Sequence, residues 1–261
     1  MPVSAQTTSL QSILPFRDLY RQEMSCQIIH DSIHSRPGWT REFLLTLDGA
    51  AAGYGSVAVA GPWKDKPTAY EFFVMPPGRL RVFELFETFL ESSGAVAIET
   101  QSNDPHLTVM LHAYAKGVET ESILFEDRVT THLAPPGGVG FRKVGKGDEG
   151  RIPEEQRGAD YLLALPPAAE GSGGEIVATG GLLWHYNRPY GDVHMHVDEP
   201  HQRRGLGAYL VQEIKRACYE RGSVPGARCN PGNVASKKTL QKAGFVPCGH
   251  ILAGEVRSRG A

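Results

Sequence analysis

Apolar and β-branched residues run through 43–47 and 53–60 on either side of Asp48-Gly49, and this pattern predicts a pair of strands joined by a tight turn. A third strand follows at 69–74. The period then changes: Val82, Phe83, Phe86, Phe89 and Leu90 recur at helical spacing, predicting a helix over about 81–92. Residues 95–100 read as a buried strand and 105–115 as a second amphipathic helix. The same order returns later in the chain. Strands are expected at about 139–144, 161–165, 177–184 and 192–197, followed by a helix at about 206–221 with Leu206, Leu210, Ile214 and Ala217 on one stripe. A strand at 227–230, a helix at 234–242 and a strand pair opened by Phe245 complete the series.

Between the two series lies Ala134-Pro-Pro-Gly-Gly138, whose prolines and glycines can continue neither a helix nor a central strand. The sequence therefore divides into residues 1–133, a linker at 134–138, and residues 139–261. A second loop-forming stretch, 166–174, is placed between two strands of the later series. Gly53 and Gly180, Val74 and Val197, and Asn103 and Asn233 fall at offsets of 127, 123 and 130, a near-constant spacing that points to one α/β unit present twice.

Composition narrows the class of function. A 41% hydrophobic content supports a sizeable core, and 27 basic against 29 acidic residues leave a charge of -2, which gives no basis for a nucleic-acid partner. Apolar runs are far short of a bilayer span, and the first twelve residues lack a basic segment followed by an apolar one, so no membrane partner and a cytoplasmic location are expected. Cys26, Cys218, Cys229 and Cys248 show neither CxxC nor zinc spacing, so no metal is expected. Any anion site must then be local.

One segment offers such a site. Pro200-His-Gln-Arg-Arg-Gly-Leu-Gly-Ala-Tyr-Leu210 leads from the end of a strand into a strongly periodic helix. Gly205 and Gly207 permit close approach and unusual dihedrals, backbone N–H groups at the helix start can face an anion, and Arg203 and Arg204 supply positive charge. A pyrophosphate is the natural guest. Neither GxxxxGK[ST] nor GxGxxG occurs, which disfavours NTPase and dinucleotide chemistry.

Gln202-Arg-Arg-Gly-Leu-Gly-Ala208 resembles the Q/R-x-x-G-x-G/A acyl-CoA signature of the GNAT superfamily of N-acyltransferases. About thirty residues on, Asn233-Val-Ala-Ser-Lys-Lys-Thr-Leu-Gln-Lys-Ala-Gly-Phe245 resembles that family's second motif. The resemblance covers roughly 139–256; earlier in the chain it is architectural only, because Pro76-Pro-Gly-Arg-Leu-Arg81 lacks the Gly-x-Gly signature. It implies an α/β (α+β) fold of two GNAT-like mixed-sheet domains in tandem, each a central sheet flanked by helices, with one competent acyl-CoA site and one degenerate half.

The resemblance further implies acetyl-CoA as co-substrate and transfer of acetyl to the amine of a small molecule by direct attack on the thioester. Gln202, Arg203, Arg204, Gly205, Leu206, Gly207 and Ala208 would hold the pyrophosphate, and Met195 and Val197 would offer strand-edge groups to the pantetheine arm. Asn233 and Ser236 would cap the next helix or reach pantetheine amides, and Lys237 and Lys238 would meet the 3′-phosphate or simply face solvent. For proton transfer, alternation along the strand puts His194 and His196 on one face with Asp192, as bases or as partly buried strand histidines. Ser236 is a candidate proton donor. Glu71 and Glu99 are further acid candidates from the first half, and Trp184, His185, Tyr186 and Tyr190 could shape the acceptor pocket.

Two family features are missing. The carboxylate often found earlier on this strand meets Gly191 or Val193, and the tyrosine that often serves as general acid falls on Leu240. About fifteen residues before Tyr161 leave little room for two wall-forming helices, so the first half or a second subunit is expected to supply the wall, and a homodimer is one expectation. An acyl-CoA-binding regulatory or scaffold module, and a protein or peptide N-acetyltransferase, are the alternative functions.

Overall fold

The computed structural model describes residues 2–24, 31–148, 150–167 and 174–258. Cys26 and most of the 166–174 stretch lie outside them. The chain divides into two compact units, one of residues up to Ser122 plus those from Gly249 onward, the other Ile123–Cys248. Among the described residues, no helix is long and apolar enough to cross a membrane.

The first unit contains β1 (Val3–Thr8), α1 (Leu10–Glu23), α2 (Asp31–His34), β2 (Thr40–Leu47), β3 (Ala50–Ala58), β4 (Thr68–Val74), α3 (Val82–Ser93), β5 (Ala97–Gln101) and α4 (Pro105–Tyr114). β6 (Ala115–Asp127) begins here and ends in the second unit, while β12 (Phe245–Val256) begins in the second and ends here. The sheet order is β1-β2-β3-β4-β5-β12, antiparallel except for the β4/β5 pair. Asp48 and Gly49, with φ of 52° and 81°, make the turn that joins β2 to β3. Phe43, Phe72, Phe86 and Phe89 pack the core between the sheet and α3. Gly55 is required there, since a Cβ would lie 2.6 Å from the Phe89 ring.

The second unit contains the end of β6, then β7 (Gly140–Lys143), β8 (Tyr161–Ala164), β9 (Ile176–Leu183), β10 (Tyr190–Val197), α5 (Leu206–Glu220), β11 (Val224–Cys229) and α6 (Val234–Lys242). Its order, β7-β8-β9-β10-β11-β6, repeats that of the first unit, with β10/β11 as the parallel pair. Val193, Leu210, Val211, Ile214 and Phe245 belong to its core. Each unit is thus a mixed sheet flanked by helices.

Several expectations are adjusted. β1, α1, α2 and β6 add to the elements read from sequence, and the strand pair expected after Phe245 is one twelve-residue strand. The boundary expected at 134–138 falls within the second unit, where Pro136–Gly138 forms a 3-10 turn. Strand pairing sets the division instead: residues 123–127 already belong with β11. In place of wall helices, the β7–β8 connection carries short 3-10 turns at Lys146–Asp148 and Glu154–Gln156.

A buried charged network stands on the sheet of the first unit. Arg17 of α1 donates through Nε and Nη2 to both Glu71 oxygens at 3.0 and 2.9 Å, and Tyr54 donates to Glu71 at 2.7 Å. His34 lies 3.0 Å from Glu42 through Nδ1 and 3.2 Å from Glu71 through Nε2. Burial works against a charged imidazole here, but the Glu71 carboxylate and hydrogen bonds to Glu42 and Glu71 outweigh it and raise His34 to about 9, with Arg17 as the opposing cation. A folded-state pKa above the unfolded value stabilises the fold fully below pH 6.5, and that stabilisation is lost as pH rises through 9. The first unit is expected to lose on the order of 2 kcal/mol between pH 6.5 and 9 in urea titrations, a loss that His34→Gln should flatten.

Candidate functional site

The site in the second unit is built where two parallel strands part. β10 and β11 pair only across Tyr190↔Val224, Gly191↔Pro225 and Asp192↔Gly226, whereas β10 stays paired with β9 as far as Val197↔Ala178. Asp198 donates its N–H to Val177 of β9, so by alternation the backbone groups of Met195 and Val197 face the opening. The Val197 carbonyl accepts the Gln202 side-chain amide at 3.1 Å, leaving the Met195 N–H and C=O and the Val197 N–H as the edge groups on offer.

The opening leads to the start of α5. Arg203 and Gly205 take left-handed φ of 62° and 84°, and Gly205 occupies the N-cap with no side-chain cap on α5. The first N–H groups of α5 have no partner within the helix, and its first turn carries no acidic residue, so the helix presents an anion-binding end. Arg203 and Arg204 are exposed beside it, while Leu206 and Ala208 are buried, contributing backbone to the turn and side chains to the core. At Gly207 a Cβ would stand 3.1 Å from Thr239, 3.4 Å from Val197 and 3.5 Å from Met195, so glycine here keeps the cradle open between β10, α5 and α6.

On α6, Asn233 accepts the Ser236 N–H at 2.9 Å and is an N-cap. Lys237 donates to the Pro231 carbonyl at 2.7 Å, and Lys238 is exposed. The Ser236 hydroxyl is hydrogen-bonded to Cys229, whose thiol burial pushes upward. Leu240, at the family's tyrosine position, is buried in the core.

The opposite face of β10 separates residues that alternation had grouped. Asp192 is buried, with Oδ2 3.1 Å from His185 Nε2 and 3.7 Å from Arg228 Nε. Tyr186 is buried beside it, and burial followed by the Asp192 charge raises its phenol. His194 is half-buried over Gly181, where a Cβ would lie 2.9 Å from His194 Nε2 and equally close to the Asp160 carboxylate. Its Nε2 has no hydrogen-bond partner among the described residues. Burial holds its pKa below the usual value despite Asp192 and Asp160, which leaves a neutral imidazole at pH 7. His196 is exposed, 3.6 Å from Asp198.

Between Gly191 and Val193, and on the other face of the strand from both, Asp192 carries a buried carboxylate. Sequence reasoning passed over Asp160 and Arg228, for which no local pattern signals a role. It read His185 only as a pocket residue, although a histidine seven residues before an aspartate across a turn was visible.

The first unit repeats the strand and helix order without the Gly-x-Gly turn. β4 and β5 pair at Thr68↔Ala97 and Ala69↔Ile98, and Arg79 Nε donates to the Val74 carbonyl at 2.9 Å, matching Gln202 and Val197 in their five-residue spacing. The second residue of α3 is Phe83 where α5 has Gly207, and the first turn of α3 holds Glu84, bound to Arg81 at 2.9 and 2.6 Å. The Phe83 ring is half-exposed, 6.5 Å from the Tyr114 ring. Glu71 belongs to the buried network and is held well below the carboxylate range by Arg17 and His34 against its burial, while Glu99 accepts from Trp63 at 3.2 Å.

Comparison with known proteins gives a family for one part of the chain and a fold for nearly all of it. Residues 141–245 match the model of the acetyltransferase (GNAT) family. No curated protein sequence matches the chain. An acetyltransferase of the GNAT family from Colwellia psychrerythraea is similar over 97% of this chain and 100% of its own, with a TM-score of 0.73 at 15% identity. A tandem GNAT protein from the clavulanic acid biosynthesis pathway covers 98% of this chain and 99% of its own, with a TM-score of 0.60 at 12% identity. A GCN5-related N-acetyltransferase from Sphaerobacter thermophilus covers 98% and 96%, with a TM-score of 0.56 at 16% identity.

Proposed function

We propose that the second unit, whose residues 141–245 match the acetyltransferase (GNAT) family model, binds acetyl-CoA and transfers its acetyl group to the amine of a small molecule by direct attack on the thioester. The observation that carries this reading is the opening between β10 and β11, which runs into the uncapped, glycine-lined start of α5. The pantetheine amides would pair with Met195 and Val197, and the pyrophosphate would sit on the N–H groups of residues 203–208 beside Arg203 and Arg204. Asn233 and Ser236 border the arm from α6. Lys237, tied to Pro231, and Lys238 stand nearest the expected 3′-phosphate.

The Met195 N–H is the donor available to a developing oxyanion at the opening. His194 is a half-buried imidazole on the Asp192 face of β10, His196 is exposed, and Ser236, bonded to Cys229, is a candidate proton donor in this reading. The reading places the protein in the cytoplasm with a small-molecule amine as its partner. It assigns neither nucleic acid nor membrane as a partner, and a second copy of the chain is one source of the missing pocket wall.

Burial of Leu240 at the family's acid position favours a second reading, an acyl-CoA-binding module with little turnover. Titration calorimetry with acetyl-CoA is expected to give one site per chain, because α3 of the first unit carries Phe83 and Glu84 where α5 carries Gly207 and Ala208. Amine-dependent release of free thiol across a panel of small primary amines is expected of the wild-type chain. Binding without any such release would replace the enzyme reading by the module, and absence of binding would sink both.

A further inference from the structure

The proton-transfer group of this site is identifiable from the acceptor face of β10. We infer that His185, oriented by Asp192, is the base that receives the proton of the attacking amine, a role resting on the acetyl-transfer reading above. Asp192 is the last β10 residue paired with β11, so its carboxylate stands at the apex of the opening, where the thioester end of an arm laid along Val197 and Met195 would arrive. The carboxylate is buried, and His185 Nε2 lies 3.1 Å from its Oδ2. That contact assigns the hydrogen to Nε2 and leaves Nδ1 as the acceptor. The His185 side chain is 25% exposed and can meet a substrate, whereas the His194 Nε2 is enclosed against Gly181 and Asp160.

The surrounding groups support this assignment. Arg228 on β11 approaches the same Asp192 oxygen at 3.7 Å, and its guanidinium lies 5.6 Å from the centre of the Tyr186 ring. Tyr186 packs edge-on to His185 at 4.2 Å and holds the imidazole plane. Other titratable groups facing the pair are His194 and Asp160.

In the reaction, the substrate ammonium gives one proton to His185 Nδ1, and Asp192 stabilises the imidazolium that forms. The freed amine nitrogen bonds to the thioester carbon and sheds its second proton to solvent as the C–S bond breaks. The imidazolium then returns its proton to the departing sulfur. Ammonium and acetyl-CoA become amide, CoA thiol and one released proton, with no oxidant or reductant involved.

The test uses the full chain, acetyl-CoA, and whichever amine of the panel gives thiol release. His185→Gln is expected to lower kcat at least a hundredfold while acetyl-CoA affinity, which also reports folding, stays within threefold. Asp192→Asn should lower kcat about tenfold or more and displace the ascending limb of the kcat/KM–pH profile, and imidazole should restore part of the activity of His185→Ala. Wild-type turnover that survives His185→Gln overturns this assignment alone. Acetyl-CoA binding by the wild type without turnover on any amine overturns the acetyl-transfer reading, and this assignment with it.

Discussion

Gly207→Glu is expected to weaken acetyl-CoA binding at least about a hundredfold, a loss of roughly 2.7 kcal/mol, while the protein stays folded. A new Cβ would stand 3.1 to 3.5 Å from Thr239, Val197 and Met195, and the rest of the side chain would be forced outward into the cradle. Its carboxylate would then occupy the end of α5 that the pyrophosphate needs, satisfying the same N–H groups with a charge of the wrong owner. The first unit already carries this combination in Phe83 and Glu84. Gly207→Ala separates the two effects, since it adds the methyl without the charge, and should retain most of the affinity that Glu removes. Titration calorimetry decides the matter: wild-type affinity in Gly207→Glu would remove acetyl-CoA from this turn.

Arg17→Met should destabilise the protein by about 3–5 kcal/mol, seen as a lowered urea midpoint at pH 7. The magnitude follows from what is left behind. Glu71 is 1% exposed and keeps its charge because Arg17 holds both oxygens; without the guanidinium, its remaining partners are the Tyr54 hydroxyl and His34. Burial would then push the carboxyl toward its neutral form. Arg17→Met combined with Glu71→Gln should recover part of the loss, because the second change removes the stranded charge. If the single variant is as stable as wild type, the buried pair is not what holds α1 to the sheet.

Local signals carried much of this architecture. Asp48-Gly49 announces its own turn, and the helix expected at 234–242 is α6, bounded by Asn233 as cap and Ala-Gly as stop. The Gly-x-Gly turn was legible because its chemistry is contiguous. What escaped notice depends on distant partners. α1 has a thin apolar stripe, Ile13 and Tyr20, interrupted by Arg17, which any amphipathic reading would point outward. It points inward because Glu71, 54 residues later in the chain, and Asp31 receive its guanidinium. β6 reads as a polar connection, Lys116 to Ser122, and becomes a strand through pairing. The dyad at Asp192 required knowing that β10 and β11 part at that residue, a fact of register with no trace in composition.

The course of β12 bears on how the molecule is made. Ala97 of β5 pairs with Glu255, 158 positions further along the chain, so the sheet of the first unit cannot be finished until residues 251–255 have been synthesised. At roughly 5–20 residues per second, the edge of β5 waits on the order of ten to thirty seconds on the ribosome with its hydrogen-bonding groups open. A nascent chain in that interval exposes a strand edge that the finished protein hides, and closing so long a loop slows the final pairing step. Folding of the first unit is therefore a matter of timing: β5 is made long before its partner, and its safe passage depends on whatever shields it until residues 251–255 arrive.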